Sequence, residues 1–507
     1  RLLLGEAKIR TIVTLLCYHP KRFFRKLRKA VWKHLSHHLL EWIALLGCTG
    51  FNLWYYSYHT IHNYTYGASD LTVHHQWINA MDEGVIFYHG IYPFGFHNVI
   101  YFLHSIFQTE TVSLLRTFGV IETIYIYAML YLLLRKICRS RFTPILGLVL
   151  FTLPNLFNFQ ATMRYQWSLP QEFAMVFLYP CACYLIQFFR QKREELTDER
   201  RRRKDNTLYA WLDLYNIHPS TVSLILFALS FSMTLAVHFY ITIIAVLLCG
   251  AIAIAHLPYV LHYRYLRPLL ITGLLSVMIA ISPMGIAYLQ GTELEGSLYW
   301  AMSVIQDSSD KEATTGSEQN SADQKSENNT ADSHTGDSSD STEGSGTKNT
   351  TGKQQVLSSP EEPPLPVRII QKLRHIYLKF HEIMMEALNT VYEQEIYILI
   401  LLLCLELLMA ACFLLILLPG HFSRRGSFGI CIYLFFLIVL YCADRLGLPA
   451  VMDQTRSRIF LAYATPLVLA AAVDAVYCLL AWPFRYHRLT EILPAGLTAA
   501  TVFLIIS

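Results

Sequence analysis

The sequence predicts an all-α polytopic membrane protein, and three observations carry that prediction. Only 15% of the 507 residues are charged while 54% are hydrophobic, whereas a soluble domain carries about 25% charged residues. The apolar residues fall in long blocks, Leu39 to Tyr56, Phe118 to Leu134, Phe173 to Phe189 and Ile396 to Leu418. Such blocks match the roughly 17–25 residues needed to cross a hydrocarbon core of about 30 Å. The Lys and Arg residues gather in short segments between blocks, as the positive-inside rule requires of cytoplasmic loops. A soluble enzyme is excluded, because so apolar a chain has too little polar surface to cover its core.

The elements follow in order. Residues 1–38 form a basic N-terminal segment with Lys21, Arg22, Arg25, Lys26, Arg28, Lys29 and Lys33. It reads as a cytoplasmic amphipathic helix on an anionic leaflet; a nucleic-acid-binding arm is the rival reading, disfavoured because a span follows at once. Residues 39–290 hold the front bundle, with a first extracytoplasmic loop over 57–116. The signs then alternate: Arg135, Lys136, Arg139 and Arg141 inside, then Arg190, Lys192, Arg193 and Arg200 to Lys204, then Arg264 and Arg267, Arg424 and Arg425, and Arg485 and Arg488. The pattern gives about eleven spans with the N-terminus in the cytoplasm. The chain opens on Arg1 and ends directly after the apolar run Thr498 to Ile506, so it reads as a fragment, truncated in its last helices. Its cysteines lie mostly inside apolar blocks, where the thiol behaves as a small hydrophobe, and no CxxC metal pattern appears.

Residues 291–366 are the next long outer segment. From Asp307 to Lys348 ten acids face three lysines, and no aromatic residue occurs between Gln306 and Pro366. From about residue 306 this composition cannot bury enough apolar area to fold, which predicts a disordered acidic loop. The sequons Asn63-Tyr64-Thr65, Asn328-Asn329-Thr330 and Asn349-Thr350-Thr351 read as products of an Asn-, Ser- and Thr-rich composition. Residues 367–395 place Val367, Ile370, Leu373, Tyr377, Phe380, Met384, Leu388 and Val391 three to four apart, the pattern of an amphipathic interfacial helix. Residues 396–507 supply the C-terminal transmembrane helices.

The first outer loop is the most informative stretch. Asp70 precedes a short amphipathic helix through His74, His75 and Trp77 that ends near Asp82-Glu83-Gly84; Gly90 to His97 then reads Gly-Ile-Tyr-Pro-Phe-Gly-Phe-His and opens a second helix over Phe96 to Phe107. Gly84 and Tyr92-Pro93 mark turns. An acid before one interfacial helix and a Tyr-Pro-x-Gly-Phe-His turn before the next resembles the GT-C membrane glycosyltransferases, over Leu39 to about Phe107 and in the order of spans. That resemblance implies a bacterial-type integral enzyme with an extracytoplasmic active site. Its donor would be a polyprenyl-phosphate sugar, its acceptor is not specified, and the bilayer is its medium. It implies no nucleic-acid partner and no certain cofactor, leaving a divalent metal ion open.

The resemblance makes Asp70 the candidate base for the acceptor hydroxyl, against the plainer reading that Asp70 caps its helix. Glu172, in Ser168-Leu169-Pro170-Gln171-Glu172, is the candidate second acid, holding acceptor or metal, with Asp82 and Glu83 as competitors. His97 is expected at the helix start facing the site. Arginines recognise phosphate bidentately, so Arg164, Arg456 and Arg458 are candidates for the donor phosphate, with Arg445 nearby; their plainer role is anchoring at the membrane edge. Because Arg456 and Arg458 stand two apart, a helix there can aim only one of them inward. The histidine spacing fits no standard metal pattern. Intramembrane acids Glu122, Glu406 and Asp474 keep open a transporter or flippase of a lipid-linked or small polar substrate, although no internal repeat supports it. A scaffold using the acidic loop as a binding tail is the non-catalytic alternative.

Overall fold

In the computed structural model, residues 18–63, 70–156, 167–204, 218–296, 425–443, 454–481 and 491–506 are described, with scattered positions between 374 and 411 and at 448, 451 and 452. The regular structure of the described chain is all helical, with one isolated bridge, Ile91 to Leu294, standing for all extended pairing among the described residues. The chain divides into two units, one of Arg1–Val304 with Met384–Ser507 and one of Ile305–Ile383. In the second unit the described positions, Arg374, His375, Tyr377, Leu378, Lys379, His381 and Glu382, are helical. The acidic stretch from 306, the sequons other than Asn63, most of 367–395, most of the apolar block 396–418 including Glu406, and Arg164 and Arg445 lie outside the described residues.

The first unit begins with α1 (Pro20–His37) and α2 (Leu39–Asn63). The predicted loop helices follow as α3 (Leu71–Asp82) and α4 (Gly95–Phe107). Then come α5 (Thr111–Ile137), α6 (Thr143–Leu156), α7 (Pro170–Lys204), α8 (Pro219–Val237), α9 (Phe239–Ala255), the one-turn α10 (Leu257–Val260) and α11 (Tyr263–Leu289). After the second unit stand α12 (Arg425–Tyr441), α13 (Gln454–Ala481) and α14 (Ile492–Ile506). Prolines at the first or second position start α8 and α10, where the missing N–H costs nothing and φ is already helical. The 35 residues of α7 run about 50 Å at 1.5 Å each, longer than a hydrocarbon core, and its Arg190–Lys204 end is the part too polar to stay inside one.

Among the described residues five helices are long and apolar enough to cross a membrane: Thr111–Ile137, Pro170–Glu199, Pro219–Val237, Tyr263–Leu289 and Arg456–Leu480. Shorter apolar helices, including Phe239–Ala255 and Arg425–Tyr441, pack between them. This is an all-α membrane protein. The face of α11 carrying Leu270, Leu274, Met278 and Ile279 is exposed, which suits acyl chains rather than water.

The bundle has two chemically distinct ends. At the basic end the α5–α6 turn is held by C-terminal carboxylates: Asp474 accepts from the backbone N–H groups of Arg139 (2.9 Å) and Ser140 (2.8 Å). Glu491 there accepts from the Ser140 hydroxyl at 2.8 Å. Glu41 accepts from Arg135 Nε at 2.8 Å and Tyr131 OH at 2.7 Å, with His38 Nδ1 at 2.8 Å from its other oxygen. At the opposite, loop end, α3 and α4 pack on α5, and Phe96 meets Phe118 and Phe173 at ring separations of 6.2 and 5.9 Å.

Candidate functional site at the loop end

Asp70 occupies the N-cap position of α3 with φ −89° and ψ 9°, yet its side chain makes no capping hydrogen bond. The carboxylate is therefore not spent on the helix start. It is exposed, and its charge reaches His74, one turn along, and Tyr92. His74 Nδ1 lies 3.0 Å from His97 Nε2, a hydrogen bond that ties α3 to α4 with one ring donating and the other accepting. Trp77 wedges beside them, its ring 5.0 Å from that of His97 and 5.2 Å from that of Tyr92.

The far nitrogens of this pair, His74 Nε2 and His97 Nδ1, are buried with no hydrogen-bond partner among the described residues, and so is Trp77 Nε1. Desolvation pushes the His74 imidazole down to about 4, opposed by the Asp70 charge. Burial first, then His74 and His238, holds His97 well below the ordinary histidine value. Both rings are consequently neutral at pH 7 and offer hydrogen bonds rather than positive charge.

The Tyr92 turn is fixed from outside. Ile91 N–H donates to the Glu293 carbonyl at 2.8 Å and Glu295 N–H donates to the Ile91 carbonyl at 3.1 Å, joining this loop to the segment after α11. Gly90 has φ +110°, and a Cβ there would stand 2.8 Å from the Glu295 nitrogen, so both the conformation and the approach require glycine. Gly95 likewise leaves room for the Ala236 carbonyl, 2.9 Å from where its Cβ would be. The joint is seated on Ile91, Met284 and Ala287.

The result is a convergence around Tyr92. Burial pushes its phenol up and Arg456 opposes that; the charges of Glu295 and Asp70 and the Tyr240 hydroxyl also act on it. Arg456 lies over the Tyr240 ring with its guanidinium carbon 4.5 Å from the centroid, a cation–π contact that leaves its N–H groups able to bind an anion. His238 sits in the extended break between α8 and α9 at φ −162°, where its Nδ1 accepts from Tyr240 N–H at 3.2 Å. Its ring stands 6.1 Å from Tyr92. A guanidinium, two carboxylates, a phenol and neutral imidazoles thus share one end of the bundle.

Of the sequence candidates, Asp70, His97 and Arg456 come together here. Arg458, two residues further along a helix and so turned to another face, is half-buried with its Nε unpartnered among the described residues, and it does not act on Tyr92. Glu172 is fully buried in the first turn of α7 instead of lying in an outer loop. Its Oε1 accepts from Gln171 Nε2 at 3.2 Å and its charge acts on Glu122. Asp82 and Glu83 end α3 in solvent, Asp82 3.6 Å from His104. Tyr92, His238, Tyr240 and Glu295 escaped the sequence reading; Gly90 and Gly291, flanking the joint with positive φ, are the signal that could have found Glu295.

Among the described residues no three His, Cys, Asp or Glu side chains converge in a group able to hold a metal ion. Compared with protein-family models, curated proteins and solved structures, the chain matches none.

Proposed function

We propose that the protein is a membrane glycosyltransferase of GT-C architecture that moves a sugar from a polyprenyl-phosphate donor to an extracytoplasmic acceptor. The reading includes about eleven spans, a bacterial cell membrane, a cytoplasmic basic end and an extracytoplasmic loop end. The single observation that supports it most is the convergence of Asp70 and Arg456 on Tyr92, from residues nearly 400 apart in sequence.

In this mechanism the acceptor O–H gives its proton to Asp70 as its oxygen forms the new bond to the anomeric carbon. The bond from that carbon to the phosphate oxygen breaks, and the electron pair leaves with the polyprenyl phosphate. Arg456 binds the phosphate oxygens as negative charge gathers on them, a stabilisation that grows toward the transition state. Neutral His74 and His97 orient hydroxyls by hydrogen bonding. The polyprenyl tail stays in the bilayer, so a site where interfacial helices meet spans suits this donor.

The test is turnover of a panel of polyprenyl-phosphate sugars by the full chain and by Asp70→Asn. The reading expects turnover with at least one donor and a loss of about 10²–10⁴ in rate on losing the base. Unchanged turnover in Asp70→Asn removes that residue from the mechanism; no turnover with any donor removes the activity.

The transporter reading keeps one specific support, the buried acid Glu122 inside a membrane-crossing helix. Transport of a labelled lipid-linked sugar across vesicles, without transfer of the sugar, is its distinguishing result.

A further inference from the structure

α1 carries seven Lys and Arg and no Asp or Glu in its 18 residues. Every one of those cations is exposed, and none has an ion-pair partner among the described residues. Cations elsewhere at the basic end are answered within the protein. Arg135 meets Glu41 at 2.8 Å, Lys192 meets Glu195 at 3.3 Å and Arg264 meets Glu199 at 3.2 Å. α1 belongs to that end because Glu41, just beyond it on α2, binds Arg135 and Tyr131 near the α5–α6 turn.

The same helix has an apolar side. At 3.6 residues per turn, Phe23, Phe24, Leu27, Val31 and Leu35 share one face and the cations take the other. Packing leaves that apolar face open: Phe24 is 59% exposed, Val31 and Leu35 are exposed, and Phe23 and Leu27 are half-buried. Among the described helices α2 packs against it most. Where α1 ends, Leu39, Leu40, Ile43 and Leu46 on the first turns of α2 are exposed as well. Such a run suits acyl chains rather than water, which sets the edge of the hydrocarbon at the α1–α2 junction. Trp32, 72% exposed, stands among the cations, and the open recess beside it is lined by Arg28, Lys29 and Lys33. An indole is at home at headgroup depth, and guanidinium and ammonium groups both bind phosphate.

Two kinds of polyanion can answer so many unpaired cations. Nucleic acid leaves the apolar face in water, whereas an anionic leaflet takes both faces at once, phosphates on one and acyl chains on the other. We propose that α1 is a docking surface for anionic phospholipid, lying along the leaflet at the basic end. Phe24, Val31 and Leu35 sit among the acyl chains, and headgroup phosphates are held at Arg28, Lys29 and Lys33 beside Trp32. The surface is separate from the Arg456 site at the loop end and stands whether the chain transfers sugars or transports them.

The test is quenching of Trp32 in the full chain, held in phosphatidylcholine nanodiscs with rising fractions of acyl-brominated phosphatidylglycerol. The Trp32 signal is the part of the fluorescence missing in Trp32→Phe. Expected is quenching that saturates with phosphatidylglycerol and stays low with brominated phosphatidylcholine at the same fractions. Replacing Arg28, Lys29 and Lys33 together by Gln should raise the half-saturating fraction at least tenfold, each lost cation weakening the attraction about fivefold. Arg264→Gln should leave it unchanged. The three side chains are exposed, so the triple variant should melt with the unmodified chain. If it does not, added salt must weaken the quenching of the unmodified chain in the same way. Equal quenching by the two lipids overturns the proposal, as does an unchanged half-point in the triple variant. So does a Trp32 response to an oligonucleotide without one to phosphatidylglycerol, which makes the helix a nucleic-acid arm.

Discussion

The two ends of the bundle differ in how they answer their buried acids and histidines, although Thr143 Oγ1 at the start of α6 also lacks a partner among the described residues. At the basic end each buried acid is answered: Asp474 by two backbone N–H groups, Glu41 by Arg135, Tyr131 and His38. At the loop end buried polar atoms are left over, among them His74 Nε2, His97 Nδ1 and Trp77 Nε1. A satisfied buried network fixes a fold, whereas unsatisfied donors and acceptors cost stability and persist where a ligand will answer them. On the proposed function, the basic end is the clamp and the loop end the place where the donor would bind.

Substitutions should separate the two. The largest stability loss is expected at the clamp: Asp474→Ala strips acceptors from buried N–H groups of Arg139 and Ser140 and should cost about 3 kcal/mol in denaturant unfolding. Equal stability in this variant would break the comparison. Glu41→Leu, which orphans a part-exposed Arg135, should cost about 2 kcal/mol by the same measurement.

Gly90→Ala should cost about 1–3 kcal/mol, because the left-handed backbone and the close Glu295 nitrogen both resist a Cβ. Its sharper signature is local: hydrogen exchange at Ile91 and Glu295 should speed up while the amides of Arg139 and Ser140 stay protected. Smallest in stability is His97→Phe, about 1 kcal/mol or less for one buried hydrogen bond, with turnover lowered nonetheless.

The histidines also give the loop end a pH dependence with a fixed sign. Unfolded His74 takes a proton near 6.5 and folded His74 only near 4, so the unfolded chain binds more protons between those values. The contribution is fully present above pH 6.5 and is lost as pH falls toward 4. Exchange of α3 amides followed across that window should rise on acidification, and the rise should flatten in His74→Phe.

Much of this was legible in the sequence. The apolar blocks announced the membrane class. Asp70, Gly84 and Tyr92-Pro93 marked out α3 and α4 almost to the residue, because caps, turns and periodicity are local signals. What stayed hidden is what distance in sequence hides. Glu295 falls early in the outer segment 291–366, where no local pattern marks it; only the Ile91 joint brings it to Tyr92. Glu172 read as a second site acid in an outer loop, because nothing local shows that α7 begins inside the bundle, beside Phe96 and Phe118. The choice between Arg456 and Arg458 required Tyr240, which lies on another helix.

The most direct measurement is the binding of a sugar-free polyprenyl phosphate to the full chain in nanodiscs. If the loop end is the donor site, Arg456→Gln should weaken binding by about 10- to 100-fold, the loss of a hydrogen bond to a charged group, and Arg264→Gln at the basic end should leave it unchanged. Equal affinity in Arg456→Gln and the unmodified chain would contradict the account.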